Sequence, residues 1–272
     1  MRVLLTIEYD GTNYAGWQRQ KNAMTVQEMV EDAIARSTGV KTAIVGAGRT
    51  DAGVHALGQV AHFDIETNIP ADKLSYVINL VLPDDIRIRE SRRVRDDFHA
   101  RRDAVGKHYR YHIYNDAHAA AVNRFTCTHV RQELDTEAMR AGAQYFQGRH
   151  DFSAFHAQGT DIIGTVRTIY GIKVTKIDRD IYIDVLGNGF LYNMVRIMAG
   201  TLIDVGKGRI PPSAVERILL SKKRELAGPT APACGLTMMS VIYDNNAMVF
   251  RDRAVREKAR FRHILPKTEC VL

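Results

Sequence analysis

The chain has 272 residues, 45% of them hydrophobic and 25% charged. That is ample apolar material for one large or two medium domains, and it excludes a low-complexity or disordered chain. No apolar run approaches the length of a membrane span, and a net charge of +7 with a pI near 9.3 points to an acidic partner, nucleic acid being the commonest.

The first predicted element is a strand, in which Val3, Leu5, Ile7 and Tyr9 alternate with Leu4, Thr6 and Glu8 and which Asp10-Gly11 ends. Its short apolar stretch meets an acid at once, unlike a signal peptide. Thr25-Val26-Gln27-Glu28 reads as a capping box opening a helix. Val26, Met29, Val30, Ala33 and Ile34 form that helix's apolar face, and Ser37-Thr38-Gly39 closes it. Strands are expected near 42–47 and 59–65, a helix from about Pro70 to Leu80, and a strand near 86–92. A basic stretch (Arg92, Arg93, Arg95, Arg101, Arg102, Lys107, Arg110) then leads into a strand at 108–115. A helix at 135–146, a hairpin of strands near 169–176 and 180–187, and a helix at 190–204 follow. A short helix after Pro211-Pro212 and a strand near 236–243 complete the pattern. Short strands and helices mixed in this way argue an α+β fold of two sheet-plus-helix halves. The expected division is 1–104, 105–250 and a charged tail, 251–272.

The three cysteines, Cys127, Cys234 and Cys270, are widely separated, and the ten histidines are scattered. Neither metal-ligand spacing nor a disulfide framework is present, so no metal is expected and a reducing cytoplasm fits.

Within this frame one loop carries chemistry. Gly46-Ala47-Gly48-Arg49-Thr50-Asp51-Ala52-Gly53 presents a single acid among glycines, which let another molecule approach closely. Asp also forms turns readily, and spacing alone favours that reading of Asp51. Arg49, two residues away, would keep the acid ionised. In Tyr14-Ala15-Gly16-Trp17-Gln18-Arg19 the aromatic rings suit stacking on unpaired bases, or anchoring the loop to the core. Tyr109 and Tyr111 read as strand packing. Arg196 reads as a snorkelling arginine or as the partner of a buried acid.

Taken in order, these segments resemble the tRNA pseudouridine synthase A family. Gly48-Arg49-Thr50-Asp51-Ala52-Gly53-Val54-His55 is its signature. Glu8-Tyr9-Asp10-Gly11 with Gly16-Trp17-Gln18, Asp97-Phe98-His99-Ala100-Arg101, Tyr109-Arg110-Tyr111, Asp151-Phe152-Ser153, Phe190 through Arg196, and Ala231-Pro232-Ala233 with Gly235-Leu236 follow in sequence. The resemblance covers about residues 3–243, and the tail beyond 251 matches nothing in it.

The resemblance implies a uridine-to-pseudouridine isomerase acting at positions 38, 39 and 40 of the tRNA anticodon arm, with no cofactor, working as a homodimer. It implies that Asp51 is the catalytic aspartate, attacking C1′ or removing a ribose proton. Tyr109 would stack on the everted base and assist proton removal from C5, Arg49 would intrude beside the flipped nucleotide, Arg196 would hold Asp51, and Leu236 would pack on the base. The expected fold is α+β, with two similar halves of mixed, mainly antiparallel sheet, helices packed on one face, and the active-site cleft between the halves. A non-catalytic RNA-binding protein on the same scaffold is the alternative. A hydrolase using Asp51 is a third reading, but no second acid stands nearby in the sequence.

Overall fold

The structure, a computed structural model, describes residues 1–157 and 164–244; the charged tail at 251–272 lies outside them. Ten strands form one sheet: β1 (Arg2–Tyr9), β2 (Val45–Gly46), β3 (His55–Asp64), β4 (Ile86–Arg93), β5 (Gly106–Asn115), β6 (Thr128–Val130), β7 (Gly148–Asp151), β8 (Val166–Ile177), β9 (Asp180–Gly187) and β10 (Leu236–Ile242). Their order is β4-β1-β3-β10-β5-β9-β8-β7, with β2 beside β3 and β6 beside β5. The pairs are antiparallel except β3–β10 and β5–β6.

Strands β1 to β4 come from residues 2–93, and β5 to β9 from residues 106–187. The two groups are joined by β10, which lies parallel to β3 (Thr237 opposite His55, Met238 opposite Ala56) and antiparallel to β5. The fold is thus α+β as expected, with the two groups fused edge to edge into a single sheet.

Five helices, α1 (Val26–Thr38), α2 (Leu74–Asn79), α3 (Thr136–Gln144), α4 (Met194–Gly206) and α5 (Ala214–Ser221), accompany the sheet. Their apolar residues share one core with Val3, Leu5, Ile7, Tyr109, Tyr111, Ile113, Ile181, Ile183 and Val185, so the helices cover one face. The α1 cap is half of the expected box. The Thr25 hydroxyl accepts from the Glu28 amide, but the Glu28 carboxylate pairs with Arg19 at 3.2 Å. The opposite sheet face carries a small apolar cluster of Leu4, Ala47, Val60, Phe98 and Ala100. It also buries Asp184, whose carboxylate accepts from Arg110 at 2.8 and 3.0 Å and lies 2.7 Å from His108 Nε2. Burial alone would raise the Asp184 pKa, but these hydrogen bonds outweigh it and hold the carboxyl below its ordinary range.

Helix α4 fixes the site. Nearly all its residues are buried, including Met194, Val195, Ile197, Met198, Thr201, Leu202 and Val205, which makes it a central helix with little freedom to shift. Segment 227–231 straps across it, with the Gly228 amide donating to Thr201 Oγ1 at 2.9 Å and the Ala231 amide to the Arg196 carbonyl at 3.1 Å.

Candidate active site

Asp51 lies in the β2–β3 connection, and Arg196, 145 residues later, points from the first turn of α4 to meet it. Arg196 Nη1 is 3.2 Å from Asp51 Oδ2, and the two side chains are 17% and 23% exposed. Arg196 is itself held twice more. Its Nε donates to the Ala231 carbonyl at 2.8 Å and its Nη1 to Asn193 Oδ1 at 2.8 Å. Asn193 caps α4 in the left-handed conformation, φ 59°, which Asn tolerates better than most residues. The guanidinium is therefore locked by a carbonyl, an amide and a carboxylate before any ligand arrives. Burial raises the Asp51 pKa above the ordinary carboxylate value and Arg196 pulls it back only in part, leaving it raised.

The loop is locked as firmly. Thr50 is clamped on both sides: its hydroxyl shares a 2.8 Å hydrogen bond with Tyr9, and its carbonyl accepts from the Trp17 amide at 3.1 Å. The Gly53 amide donates to the Tyr14 carbonyl, and the Val54 amide to the Asp51 carbonyl. Gly16 sits at φ +91°, where a Cβ would run into the Thr50 carbonyl and lie 3.0 Å from the Asp51 carbonyl carbon. Gly16→Ala therefore combines strain with a backbone clash. It is expected to lower stability by about 2–4 kcal/mol, read as a shift in thermal midpoint, and to cut activity further by displacing Asp51. This accounts for Tyr14 and Trp17: they are 5% and 1% exposed, and Trp17 packs at 6.1 Å on Tyr9. They anchor the loop and are not free to stack on bases.

Tyr109 on β5 is buried, its ring edge-on to Phe190 at 5.0 Å. Burial first, then the charges of Tyr9 and Asp51, push its phenol pKa far up, so the hydroxyl stays protonated. Leu236 opens β10 opposite Tyr111 and is 6% exposed. The structure thus brings Asp51, Arg196 and Tyr109 together. Arg49 is exposed and makes no ion pair with Asp51; the counter-ion is Arg196, and proximity in sequence misassigned that role. Several basic residues are also spoken for. Arg92 pairs with Glu90, Arg95 with Asp97 and Asp103, Arg110 with Asp184, and Lys222 with Asp151.

Sequence reading missed the Ala231 carbonyl and Asn193 as the supports of Arg196. Both lie inside segments already singled out, but nothing in a linear pattern says which atoms face the guanidinium. Among the described residues no helix is long and apolar enough to cross a membrane, and no cluster of His, Cys, Asp or Glu could hold a metal ion.

A half-buried carboxylate held by an arginine beside a neutral tyrosine makes a candidate carboxylate-centred site. A family model described as tRNA pseudouridine synthase matches residues 5–103 and 143–244. Asp51, Arg196 and Leu236 fall within those segments and Tyr109 between them. The tRNA pseudouridine synthase A of Ruminiclostridium cellulolyticum is 54% identical over 243 residues, covering 89% of this chain and 99% of that protein. That of Acetivibrio thermocellus is 52% identical over 241 residues, with the same coverage. Among solved structures, a chain of a Cbf5-Nop10-Gar1 complex aligns with a TM-score of 0.37 and 14% identity over 87% of this chain and 48% of that one, too distant to carry an argument. The chain belongs to the tRNA pseudouridine synthase family, a family of isomerases.

Proposed function

We propose that the protein isomerises uridine to pseudouridine at positions 38, 39 and 40 of the tRNA anticodon arm, with Asp51 as the catalytic carboxylate and the target base everted from its stack. The observation that carries the reading is the Asp51–Arg196 pair, 3.2 Å apart where the two halves of the sheet meet. Breaking the N1–C1′ bond develops positive charge at C1′, and a carboxylate can trap or stabilise it there, or remove a ribose proton. The base must leave the stack to reach a side chain that is mostly buried.

The Tyr109 phenol, kept neutral, supplies a ring face beside the base and a hydroxyl that relays the C5 proton, passing its own on to water as it takes that one. Tyr109→Phe is expected to leave tRNA affinity within about twofold and to lower kcat by about 10²–10⁴, measured by single-turnover kinetics alongside filter binding. Leu236 would pack on the base, and Arg49, exposed and without an acid, would enter the space beside the flipped nucleotide. We place the enzyme as a homodimer on its tRNA.

The test is to map pseudouridine by carbodiimide labelling in tRNAs treated with the protein. Modification confined to positions 38–40 supports the proposal; none at those positions overturns it. tRNA binding with no modification anywhere would instead favour an RNA-binding protein on the same scaffold.

A further inference from the structure

Next to the Asp51 loop stands a cation with no use in the chemistry above. Lys107 precedes Tyr109 by two positions on β5, so the two side chains share a face of the sheet. Its ammonium lies against Gly48 in the Asp51 loop, where a Cβ on that glycine would sit 3.1 Å from Nζ. Lys107 is opposite Gly187 on β9, and a Cβ at Gly187 would lie 3.3 Å from the Phe190 ring that packs on Tyr109. Beside Phe190, Gly189 borders the Arg167 side chain, 3.8 Å from a Cβ there to Nε. The lysine, the tyrosine and the catalytic loop thus line one continuous surface.

The cations on that surface lack a paired acid. Among the described residues neither Lys107 nor Arg101, Arg167 or Arg49 has a carboxylate within ion-pair distance, whereas eleven other arginines are paired. The groups acting on Lys107 are Arg101, from the β4–β5 connection, and Arg167, from β8, both repulsive. Strands β9 and β10 offer it only Gly187 and Val241 as cross-strand neighbours, and Met238 lies with it against Gly48. Like charges gathered without acids repel one another, and a bound anion relieves that repulsion.

We propose that Lys107, with Arg101 and Arg167 around it, binds a backbone phosphate next to the everted uridine and so fixes the sugar over Asp51. A phosphate contact from a half-buried ammonium positions the strand and carries no sequence information. Burial, then Arg101 and Arg167, bring the lysine pKa down to about 8, so below that pH the ammonium is charged and ready for a phosphate, and above it binding has to take up a proton. The inference rests on the protein acting on tRNA as proposed above.

The experiment compares wild type, Lys107→Met and Lys107→Arg on an anticodon stem-loop, titrated across salt concentration and across pH 7 to 9.5. Lys107→Met is expected to bind about tenfold more weakly, with a slope of log affinity against log salt shallower by about 0.7. Lys107→Arg is expected to restore both. Wild-type affinity is expected to fall above about pH 8, and the arginine variant to lack that fall. A second arm replaces single phosphates beside the target with methylphosphonates. One linkage is expected to weaken wild type about tenfold and leave Lys107→Met unaffected. An unchanged affinity and salt slope in Lys107→Met, at an unchanged melting temperature, overturns the proposal, as does the absence of any linkage that couples to Lys107. If Lys107→Met fails to fold, the arginine variant's pH profile decides the same way. Wild type that binds the stem-loop but forms no pseudouridine counts against the activity, while the binding arms still report on Lys107.

Discussion

Asp51→Asn is expected to lower single-turnover pseudouridine formation by at least about three orders of magnitude, about 4 kcal/mol of transition-state stabilisation, while tRNA affinity stays within about threefold. The amide keeps the shape and can still accept from Arg196, but it can neither trap C1′ nor take a proton. The same change is expected to leave the protein as stable as wild type or more so at neutral pH. Folding raises the Asp51 pKa, chiefly through burial, so the stability linked to this group is present below the ordinary carboxylate pKa and lost as pH rises through the folded value. Asparagine never ionises and escapes that loss. Thermal melts in steps from pH 3.5 to pH 7.5 would read it: wild type should lose ground to the variant as pH rises from the ordinary carboxylate range. Substantial residual activity in Asp51→Asn would remove the aspartate from the chemistry.

Arg196→Met is expected to have the next largest effect. Without the guanidinium, a carboxylate only 23% exposed has lost the one charge that opposed its burial, and its pKa must climb further. The acid limb of the pH–rate profile should therefore move to higher pH, and the rate at pH 7 should fall about 10²-fold or more. The Ala231 carbonyl and Asn193 amide lose their donor too, which costs about 1–3 kcal/mol of stability. Arg196→Lys restores a charge but cannot reach a carbonyl, an amide and a carboxylate from one planar group, so partial recovery is expected. A pH profile that does not move in Arg196→Met would mean the arginine serves only to pack the helix.

Local signals in the sequence were legible where local physics decides. Helix α1 starts and stops as Thr25 and Gly39 require, and β1, β5, β8 and β9 follow their alternation. Strands β6 and β7 span three and four residues, too short for a periodicity to register. Strand β3 starts at His55, four residues before the expected point, and runs through Gly58. The reason it is strand lies elsewhere in the chain: a Cβ at that glycine would be 2.6 Å from the Met239 carbonyl of β10, so the residue serves a close passage of two strands that no window around it contains. Helix α4 starts at Met194, where 190 was expected, because Asn193 takes a left-handed turn that frees its side chain for Arg196. The resemblance named Asp51 and Arg196 together; their 3.2 Å contact needed the fold. Lys107 sat in a basic stretch whose members looked alike, and only the structure separates those already bound to acids from those still waiting.

The position of β10 sets the order in which the enzyme is made. Strands β1 to β4 and β5 to β9 are local assemblies that a growing chain can form as it emerges, but the seam between them stays open until residues 236–242 arrive. The strap that steadies Arg196 ends at Ala231, five residues before that strand begins. Asp51 and its arginine therefore come from the two different groups of strands and helices that β10 joins. On this topology the Asp51–Arg196 contact is expected to form late, and a chain ending before Leu236 is expected to lack it.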